Sequence, residues 1–317
     1  MRLLNQALKQ ERFMIATTGL RIDEFRRLVE ETRSDWEGVK RARTLPSENR
    51  ERKVGGGRKE TFSTCEEQLF IFLFWARSYP TLLMLEILFG GDEVTHWRIT
   101  HRMTPLLSKH RITVAQPGGK RIRSMEELKE AFPDIHEAIE EMLVDATEQR
   151  IQRPKDKRRN RQYRSGKKKA HTVKTQIIAD PASGRILHVS KTVEGKRHDF
   201  RLFKETVCPS ATDGGIRLLA DSGYQGLKDQ FPNLVKARVA MKRFRGAPPL
   251  TRKQRRENRL LSKTRIFVEH AFGRMKQYKV LDHVFRHAVK GYNPVFRAIA
   301  SITNLKLEMR EIGRAHV

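Results

Sequence analysis

Apolar residues recur at helical spacing near the start of the chain, where Ile22, Phe25, Val29 and Trp36 are three, four and seven residues apart. With 3.6 residues per turn, these positions share one side of an α-helix and predict a packing face. We therefore expect an N-terminal helical segment over residues 1–42. Basic residues and three successive glycines follow, which predicts a flexible linker over residues 43–60.

Three shorter helical patterns follow within residues 61–110. Ser63 and Glu66 have the spacing of a capping box, which predicts the start of the first helix. Pro80 suits the first turn of a second helix over residues 81–88, and two glycines can end it. Asp92 is a candidate N-cap for a third helix that runs to about residue 107.

The third of these helices has two different faces. Apolar side chains occupy one side, and Trp97, Arg98, His101 and Arg102 occupy the other. Two short helices, a glycine turn and a basic-faced helix are what a helix-turn-helix DNA-binding region requires. Arg98, His101 and Arg102 are then the candidate DNA contacts. Three packed helices also occur for other reasons, so this pattern alone leaves both interpretations open.

A connecting segment over residues 111–140, with a helix predicted at residues 124–131, precedes a stretch that has two interpretations. Helix propensity favours a single helix over residues 136–148. The apolar run before Asp145 suits instead a short buried strand over residues 142–145, which would deliver Asp145 at its end.

Runs of β-branched and apolar residues predict a sheet further along the chain. Residues 172–179 and 185–193 form two strand patterns joined by a turn over residues 180–184, and residues 216–220 form a third apolar run. Asp199 is expected to cap the helix that follows it, and His198 and Asp199 are both candidates to line a site. Asp221 directly follows the third run, and Gly223 permits a sharp turn that points Asp221 out of the sheet edge.

A late helical pattern over residues 261–280 carries Arg265, Glu269 and Lys276. Their spacings of four and seven residues place them on one face, with the carboxylate between two cations. This charged stripe either faces a cleft or lies in solvent, where such pairs stabilise helices. A last helix is expected over residues 294–309.

The charge balance narrows the classes of function. The 317 residues include 65 Lys and Arg against 37 Asp and Glu, a net charge of +28, which indicates a polyanionic partner, nucleic acid first. No apolar run approaches the roughly 20 residues of a membrane-spanning helix, and no signal-peptide pattern is present. The two cysteines, Cys65 and Cys208, form neither a metal-ligand pair nor a disulfide framework. We expect a reduced, intracellular protein without a membrane partner.

Positive charge is concentrated between residues 150 and 169, where eleven Lys or Arg residues accompany one acid, Asp156. Such a run repels itself when free, and next to DNA it binds phosphates. Lys167, Lys168 and Lys169 are the candidate contacts. A solvated surface loop is the alternative interpretation of this run.

Three acids are distinguished by their context: Asp145 and Asp221 at predicted strand ends, and Glu269 on the late helix. Mg²⁺ prefers carboxylate oxygens, and two ions about 3.5–4 Å apart can activate a nucleophile and stabilise a leaving oxygen in phosphoryl transfer. One carboxylate shared by both ions, with a further carboxylate on each, is the smallest protein set that does this. Any basic protein offers other triples of acids, so the order of the elements decides.

Five blocks of sequence fix that order. They are Val144 to Glu148 with Arg153-Pro154; Ser165 to Thr172; Gly195 to Asp199; Asp221 to Gly226; and Asn258, Arg265, Val268-Glu269-His270, Gly273 and Lys276. In their order and spacing these blocks resemble the DDE transposases of bacterial insertion sequences, in the branch related to Harbinger-type transposases and DDE-superfamily endonucleases. The resemblance covers about residues 61–309.

The resemblance implies an α/β protein, with a ribonuclease H-like mixed-sheet catalytic domain over residues 141–310 preceded by an all-α helix-turn-helix DNA-binding region. It implies that Asp145, Asp221 and Glu269 are catalytic and hold two Mg²⁺ ions, with Mn²⁺ as a substitute. Arg265 and Lys276 would contact DNA phosphates. The partners would be double-stranded DNA of the terminal inverted repeats and of the target, bound by a homodimer or higher assembly in the cytoplasm and nucleoid of a prokaryotic host.

The sequence departs from the family at Ala146, where glycine is more frequent, and at Ser262, where related transposases carry a tyrosine. A catalytically silent, domesticated DNA-binding protein is the alternative function, and a repair or RNA nuclease on the same fold is a third. Residues 311–317 read like the translation of a sequencing-library adapter, which predicts a non-native tail.

Overall fold

The computed structural model describes residues 1–44, 60–108, 113–114, 141–206, 217–230, 237–243, 246 and 248–315. Most of the predicted linker, the helix expected at residues 124–131 and the last two residues of the expected tail lie outside these ranges. Among the helices in the described part of the chain, none combines the length and the apolar character needed to cross a membrane.

The chain divides into two compact units. The first contains Met1–His110, Lys276–His283 and Pro294–Val317, and the second contains Arg111–Met275 and Val284–Asn293. The C-terminal segment, which the sequence predicts to be part of the catalytic domain as far as residue 310, groups with the N-terminal helices. Lys306 donates a hydrogen bond from Nζ to the carbonyl of Gly19 over 2.7 Å within this first unit.

The first unit is helical. Its helices are α1 (Arg2–Lys9), α2 (Glu11–Thr18), α3 (Ile22–Thr44), α4 (Cys65–Ser78), α5 (Leu82–Phe89), α6 (Glu93–Leu107) and most of the final helix, α11 (Tyr292–Ala315). Helix α4 lies at the centre of this unit, since five consecutive residues from Leu69 to Leu73 are buried. A helix that is apolar on all sides needs neighbours on all sides, and α2, α3 and α6 pack against it.

The starts of these helices follow the predicted capping chemistry in part. The side chain of Thr81 accepts a hydrogen bond from the amide of Met84 and caps α5, so Pro80 lies before the cap and its predicted place in the first turn was wrong. Asp92 accepts from the amide of Thr95 over 2.6 Å and caps α6, as predicted. The capping box of α4 is formed by Thr64 and Glu67, so the prediction of Ser63 and Glu66 was wrong by one residue. The two pairs share the same spacing, and only the backbone conformation distinguishes them.

The second unit is built on one eight-stranded mixed sheet. Its strands are β1 (Thr113–Val114), β2 (Glu141–Arg150), β3 (Arg164–Ser165), β4 (Ala170–Ala179), β5 (Ile186–Val189), β6 (Val193–Glu194), β7 (Arg217–Ala220) and β8 (Arg238–Val239). The main order is β1-β5-β4-β2-β7-β8, with β3 and β6 paired to β4. Strand β2 is central, antiparallel to β4 and parallel to β7.

The central strand resolves the ambiguity left by the sequence around Asp145. Residues 141–150 form a strand, and the single-helix interpretation was wrong. Leu143 and Val144 point to opposite faces of the strand, yet both are buried, because both faces of this sheet are covered. Local helix propensity is outweighed by this burial and by pairing on both edges of β2.

Further helices complete the second unit: α7 (Lys157–Tyr163), α8 (Asp199–Thr206), α9 (Leu227–Gln230) and α10 (Arg252–Lys276). Phe200 and Phe203 of α8 pack with Tyr224 and with the inward side chains of β2 and β7 in one core cluster. Helix α10 begins well before the predicted residue 261 and buries Val268 and Ala271. Its last residue, Lys276, groups with the first unit.

Candidate active site

Asp145 and Asp221 are brought together by two neighbouring parallel strands. Val144 of β2 lies opposite Ala220 of β7, so the next residue on each chain is an aspartate at the same level of the sheet. Asp145 lies in the middle of β2, so its predicted position at a strand end was wrong, whereas β7 ends at Ala220 and Asp221 starts a turn as predicted. The parallel register therefore explains how two acids far apart in sequence come together.

Two hydrogen bonds hold Asp221 in the turn after β7. The Oδ1 of Asp221 accepts a hydrogen bond from the amide of Ser222 over 2.5 Å, and the carbonyl of Asp221 accepts one from the amide of Tyr224 over 3.0 Å. The hydroxyl of Tyr224 is buried and accepts a hydrogen bond from Nε2 of Gln176 over 2.6 Å. The pKa of Tyr224 is well above its usual value, chiefly because of burial and then because of Asp145, so the phenol stays neutral.

Helix α10 brings the third acid and a cation to the same place. The guanidinium of Arg265 lies 3.7 Å from Asp145, 3.2 Å from Asp221 and 3.9 Å from Glu269. Glu269, one turn further along the helix, is the most open of the three acids, with 60 % of its side chain exposed. Three carboxylates from three separate elements thus converge on one guanidinium.

The electrostatics of this cluster are set by burial. Burial raises the pKa of Asp145 to about 6, the nearby Asp221 and Asp199 carboxylates add to the increase, and the amide of Ala146 and Arg265 oppose it. Arg265 therefore does not fully compensate the cost of burying the Asp145 carboxylate. Binding of a further cation, or of a proton, would lower this cost.

The donor chemistry of the cluster fits divalent metal ions, although the side chains are not arranged around one as they stand. Within the described residues, no group of three His, Cys, Asp or Glu side chains is placed to hold a metal ion. Carboxylate oxygens are the ligands that Mg²⁺ prefers. The three acids face Arg265, so its guanidinium lies where their ligand atoms converge.

A second ionic cluster, which the sequence did not predict, lies next to the Asp221 turn. Lys174 is buried in β4, and its ammonium lies 2.7 Å from Oδ1 of Asp199 and 3.8 Å from Glu148, and donates to the carbonyl of Arg197. The expected capping role of Asp199 was wrong, because it is the first residue of α8 and its side chain pairs with Lys174. His198 precedes the helix in the cap position, and its carbonyl accepts a hydrogen bond from the amide of Leu202. A lysine in the middle of a predicted strand was the available signal.

Asn258 is a further residue whose structural role appears only in the fold. Its side chain donates to the carbonyl of Met241 and accepts from the amide of the same residue, each over 2.9 Å. This paired contact ties the chain after β8 to the first half of α10. The sequence identified Asn258 as part of a block without indicating this partner.

The candidate DNA contacts of the second unit are exposed, with one exception. Lys167, Lys168 and Lys169 are exposed in the turn between β3 and β4, where the two strands form a hairpin. Arg265, in contrast, lies among the three acids. The hairpin places three adjacent ammonium groups at one tip, which suits contact with a phosphate backbone.

The candidate contacts on α6 belong to the first unit and differ from one another. Arg98 is exposed, and His101 stacks on the exposed ring of Trp97 with 4.0 Å between ring centroids. Arg102 has only 8 % of its side chain exposed, and it donates a hydrogen bond to Gln68 over 2.9 Å. Lys276, also grouped with this unit, is half-buried.

Comparison with known proteins gives the chain a family. The family model described as DDE superfamily endonuclease matches residues 144–304, which include all three acids. The chain is 27 % identical over 259 residues to a protein of Microchaete diplosiphon named as a transposase for insertion sequence element IS702, covering 82 % of this chain and 86 % of that protein. It is 24 % identical over 254 residues to one from Streptomyces albus G named as a transposase for element IS112, covering 80 % and 84 %.

No solved structure matches the chain. The family match spans about half of the sequence and reaches from β2 through most of α11. It confirms the resemblance to the DDE transposases of insertion sequences, and with it the assignment as a DNA transposase or endonuclease. The chain belongs to the DDE superfamily endonucleases.

Proposed function

We propose that the protein is an insertion-sequence transposase that cleaves the ends of its element and joins the freed 3′-hydroxyl groups to target DNA. The observation that carries this proposal is the convergence of Asp145, Asp221 and Glu269 on one guanidinium. Arg265 meets Glu269 through the i,i+4 spacing of their helix, which a solvated stripe would also give. Its contacts with Asp145 on β2 and with Asp221 after β7 are a property of the tertiary fold, and a charged stripe on a solvated helix face would not produce them.

Asp145, Asp221 and Glu269 would hold the Mg²⁺ ions through their carboxylate oxygens. When bound, such ions activate a water or hydroxyl nucleophile and stabilise the leaving oxygen at phosphorus. Asp145 is held by the central strand and Asp221 by a hydrogen-bonded turn, so two of the three ligands have fixed backbones. Glu269 is free to adjust because it is exposed.

Arg265 supplies the positive charge at this site in the structure, and we propose that it turns to a DNA phosphate when ions bind. Arginine suits this exchange, because its planar donor groups pair equally well with carboxylate and phosphate. Lys276 would contact the same DNA. The Nε of Arg265 is buried without a hydrogen-bond partner, which leaves one donor for a ligand.

The fold of the second unit supports a ribonuclease H-like assignment. On one side of the long central strand β2 lies β4, antiparallel to it, followed by β5, which is antiparallel to β4. On the other side lie β7 and β8, both parallel to β2. This arrangement gives the order strand, hairpin, helix, strand and late helix that the sequence predicts. It also places two of the acids on adjacent strands.

Recognition of the element ends is assigned to helices α4 to α6. Of these helices, α6 presents Arg98, Trp97 and His101 to solvent, whereas α5 exposes mainly apolar side chains such as Ile87. Helix α6 is therefore the proposed reading helix for the terminal inverted repeats. Since an element has two ends, two or more subunits would assemble on the DNA.

The test is a cleavage and joining assay with the purified full chain and linear DNA that ends in the native inverted repeats. Nicks at the element ends and joined products are expected with Mg²⁺ and not after chelation. Binding to the ends without cleavage at any Mg²⁺ or Mn²⁺ concentration would instead support the silent DNA-binding protein. Mg²⁺-dependent cleavage of RNA or damaged DNA, with intact element ends, would support a different nuclease.

A further inference from the structure

The Asp221 turn rests against a partly buried ion pair that lies outside the three acids. Lys174 and Asp199 form this pair, 2.7 Å apart, with 9 % of the Lys174 side chain and 31 % of the Asp199 side chain exposed. A buried lysine requires several acceptors, and the carbonyl of Arg197 and the carboxylate of Glu148 provide the others. Glu148 is fixed in turn by the hydroxyl of Thr172 over 2.8 Å.

Asp199 is therefore held on one side, and its other side faces the turn. A side-chain carbon placed on Gly223 would lie 3.2 Å from Oδ2 of Asp199, so the carboxylate packs directly on the backbone of the turn. Gly223 is two residues after Asp221. The carbonyl of Asp199 also accepts a hydrogen bond from Gln176, the residue that donates to Tyr224 at the end of the same turn.

We propose that Asp199 is a positioning residue for Asp221. The Asp199 carboxylate, held by its ion pair with Lys174, packs against Gly223. This contact fixes the backbone of the turn and with it the position of Asp221 as a metal ligand. The proposal rests on the proposed function, since Asp221 is taken to be a metal ligand. A displacement of the turn by a fraction of an ångström would change the position of that ligand, and catalytic geometry tolerates little such error.

The test uses Asp199→Asn, which keeps the shape of the side chain and removes the charge that Lys174 holds. Glu205→Gln is the matched control, because Glu205 lies on the same helix and pairs with Arg197 on the surface. Three quantities are measured for each full-length variant: the single-turnover cleavage rate on end DNA, Mn²⁺ affinity without DNA, and the amide chemical shifts of residues 222–224.

We expect Asp199→Asn to lower the cleavage rate by about tenfold or more, to weaken Mn²⁺ binding and to shift the amide of Gly223. Glu205→Gln should match the wild type in all three measurements. Unchanged Mn²⁺ affinity and unchanged amide shifts in Asp199→Asn would overturn the proposal. If the wild type does not cleave, altered Mn²⁺ affinity and shifts would still support positioning while the proposed function fails.

Gly223→Ala provides a second variant should Asp199→Asn not fold. The added methyl group meets the Asp199 carboxylate at 3.2 Å, so turn and carboxylate must move apart. The same losses are expected. Gly38→Ala is its control, since a side-chain carbon there meets nothing within 4 Å. A Gly223→Ala protein with wild-type Mn²⁺ affinity and cleavage rate would also overturn the proposal.

Discussion

Arg265 and Asp221 form an ion pair across the site, with Nη1 of the arginine 3.2 Å from Oδ1 of the aspartate. The same guanidinium also approaches Asp145 and Glu269, so it neutralises part of the charge of all three acids. A guanidinium and a divalent ion compete for the same oxygens. The affinity of the site for metal ions should therefore depend on Arg265.

We expect Arg265→Gln to bind Mn²⁺ more tightly than the wild type in the absence of DNA. Removal of one unit charge next to the ligands should increase the affinity by at least about threefold, because the opposing Coulomb energy is on the order of 1 kcal/mol for a partly exposed group. Isothermal titration calorimetry measures this directly. Arg265→Lys keeps the charge and should remain close to the wild type. Equal or weaker binding by Arg265→Gln would show that the arginine does not compete.

The raised pKa of Asp145 predicts a dependence of stability on pH. The folded pKa of about 6 lies above the ordinary value, so between about pH 4 and pH 6 the folded chain holds more protons than the unfolded chain. The contribution of this group to stability is present below pH 4 and is lost as the pH rises through 6. Asp145→Asn has no such loss.

In buffer freed of divalent ions, Asp145→Asn should therefore be more stable than the wild type at pH 7, by roughly 2–3 kcal/mol. The difference should shrink toward pH 4. Urea unfolding of both proteins at several pH values measures it. A difference that is independent of pH would contradict the assignment of the raised pKa to Asp145.

The sequence predicted much of this site, and the reasons are visible in particular residues. Asp145 and Asp221 follow apolar runs that lie in two neighbouring parallel strands. Because both faces of the sheet are buried, these runs are continuously apolar and can be recognised in the sequence. Helical spacing places Glu269 next to Arg265 but leaves a solvated stripe as an alternative, and the order of the sequence blocks is what selects Glu269. The spacing could not show that Arg265 also reaches Asp145 on β2 and Asp221 after β7.

Long-range partners account for what the sequence did not predict. Asp199 precedes a helix in the manner of a cap, and only the tertiary fold brings Lys174 within 2.7 Å of it. The capping boxes at Ser63 and Thr64 have equal spacing, so their register depends on the local backbone. Asn258 pairs with a backbone segment seventeen residues away, for which no periodic pattern exists.

Helix α6 allows a contrast between two arginines. Arg98 is exposed, so Arg98→Ala should weaken binding to the element ends by about 1–3 kcal/mol and leave stability within about 0.5 kcal/mol. Arg102 is buried and donates to Gln68, so Arg102→Ala should destabilise the fold by about 1–3 kcal/mol. Thermal unfolding and fluorescence anisotropy on end DNA separate the two effects. If Arg98→Ala lost stability but bound DNA normally, Arg98 would be a structural residue and not a DNA contact.

The lysine tip between β3 and β4 should contribute to binding through phosphate contacts. Substitution of Lys167, Lys168 and Lys169 by alanine should lower the slope of log affinity against log salt by about two to three, since each neutralised phosphate contributes about 0.9. The loss should be similar for end DNA and unrelated DNA. Arg201→Ala removes an exposed cation that pairs with Glu205 and should leave the slope unchanged. An unchanged slope in the triple variant would exclude the tip from the DNA interface.

We expect the three acids to act together as the catalytic centre. Single-turnover cleavage of end DNA in Mg²⁺ is measured for Asp145→Asn, Asp221→Asn and Glu269→Gln, alongside binding to the same DNA. Each variant should lose at least about a thousandfold in rate, equivalent to roughly 4 kcal/mol of transition-state stabilisation, while binding DNA within about threefold of the wild type. Cleavage at the wild-type rate by any one of the three would contradict the account.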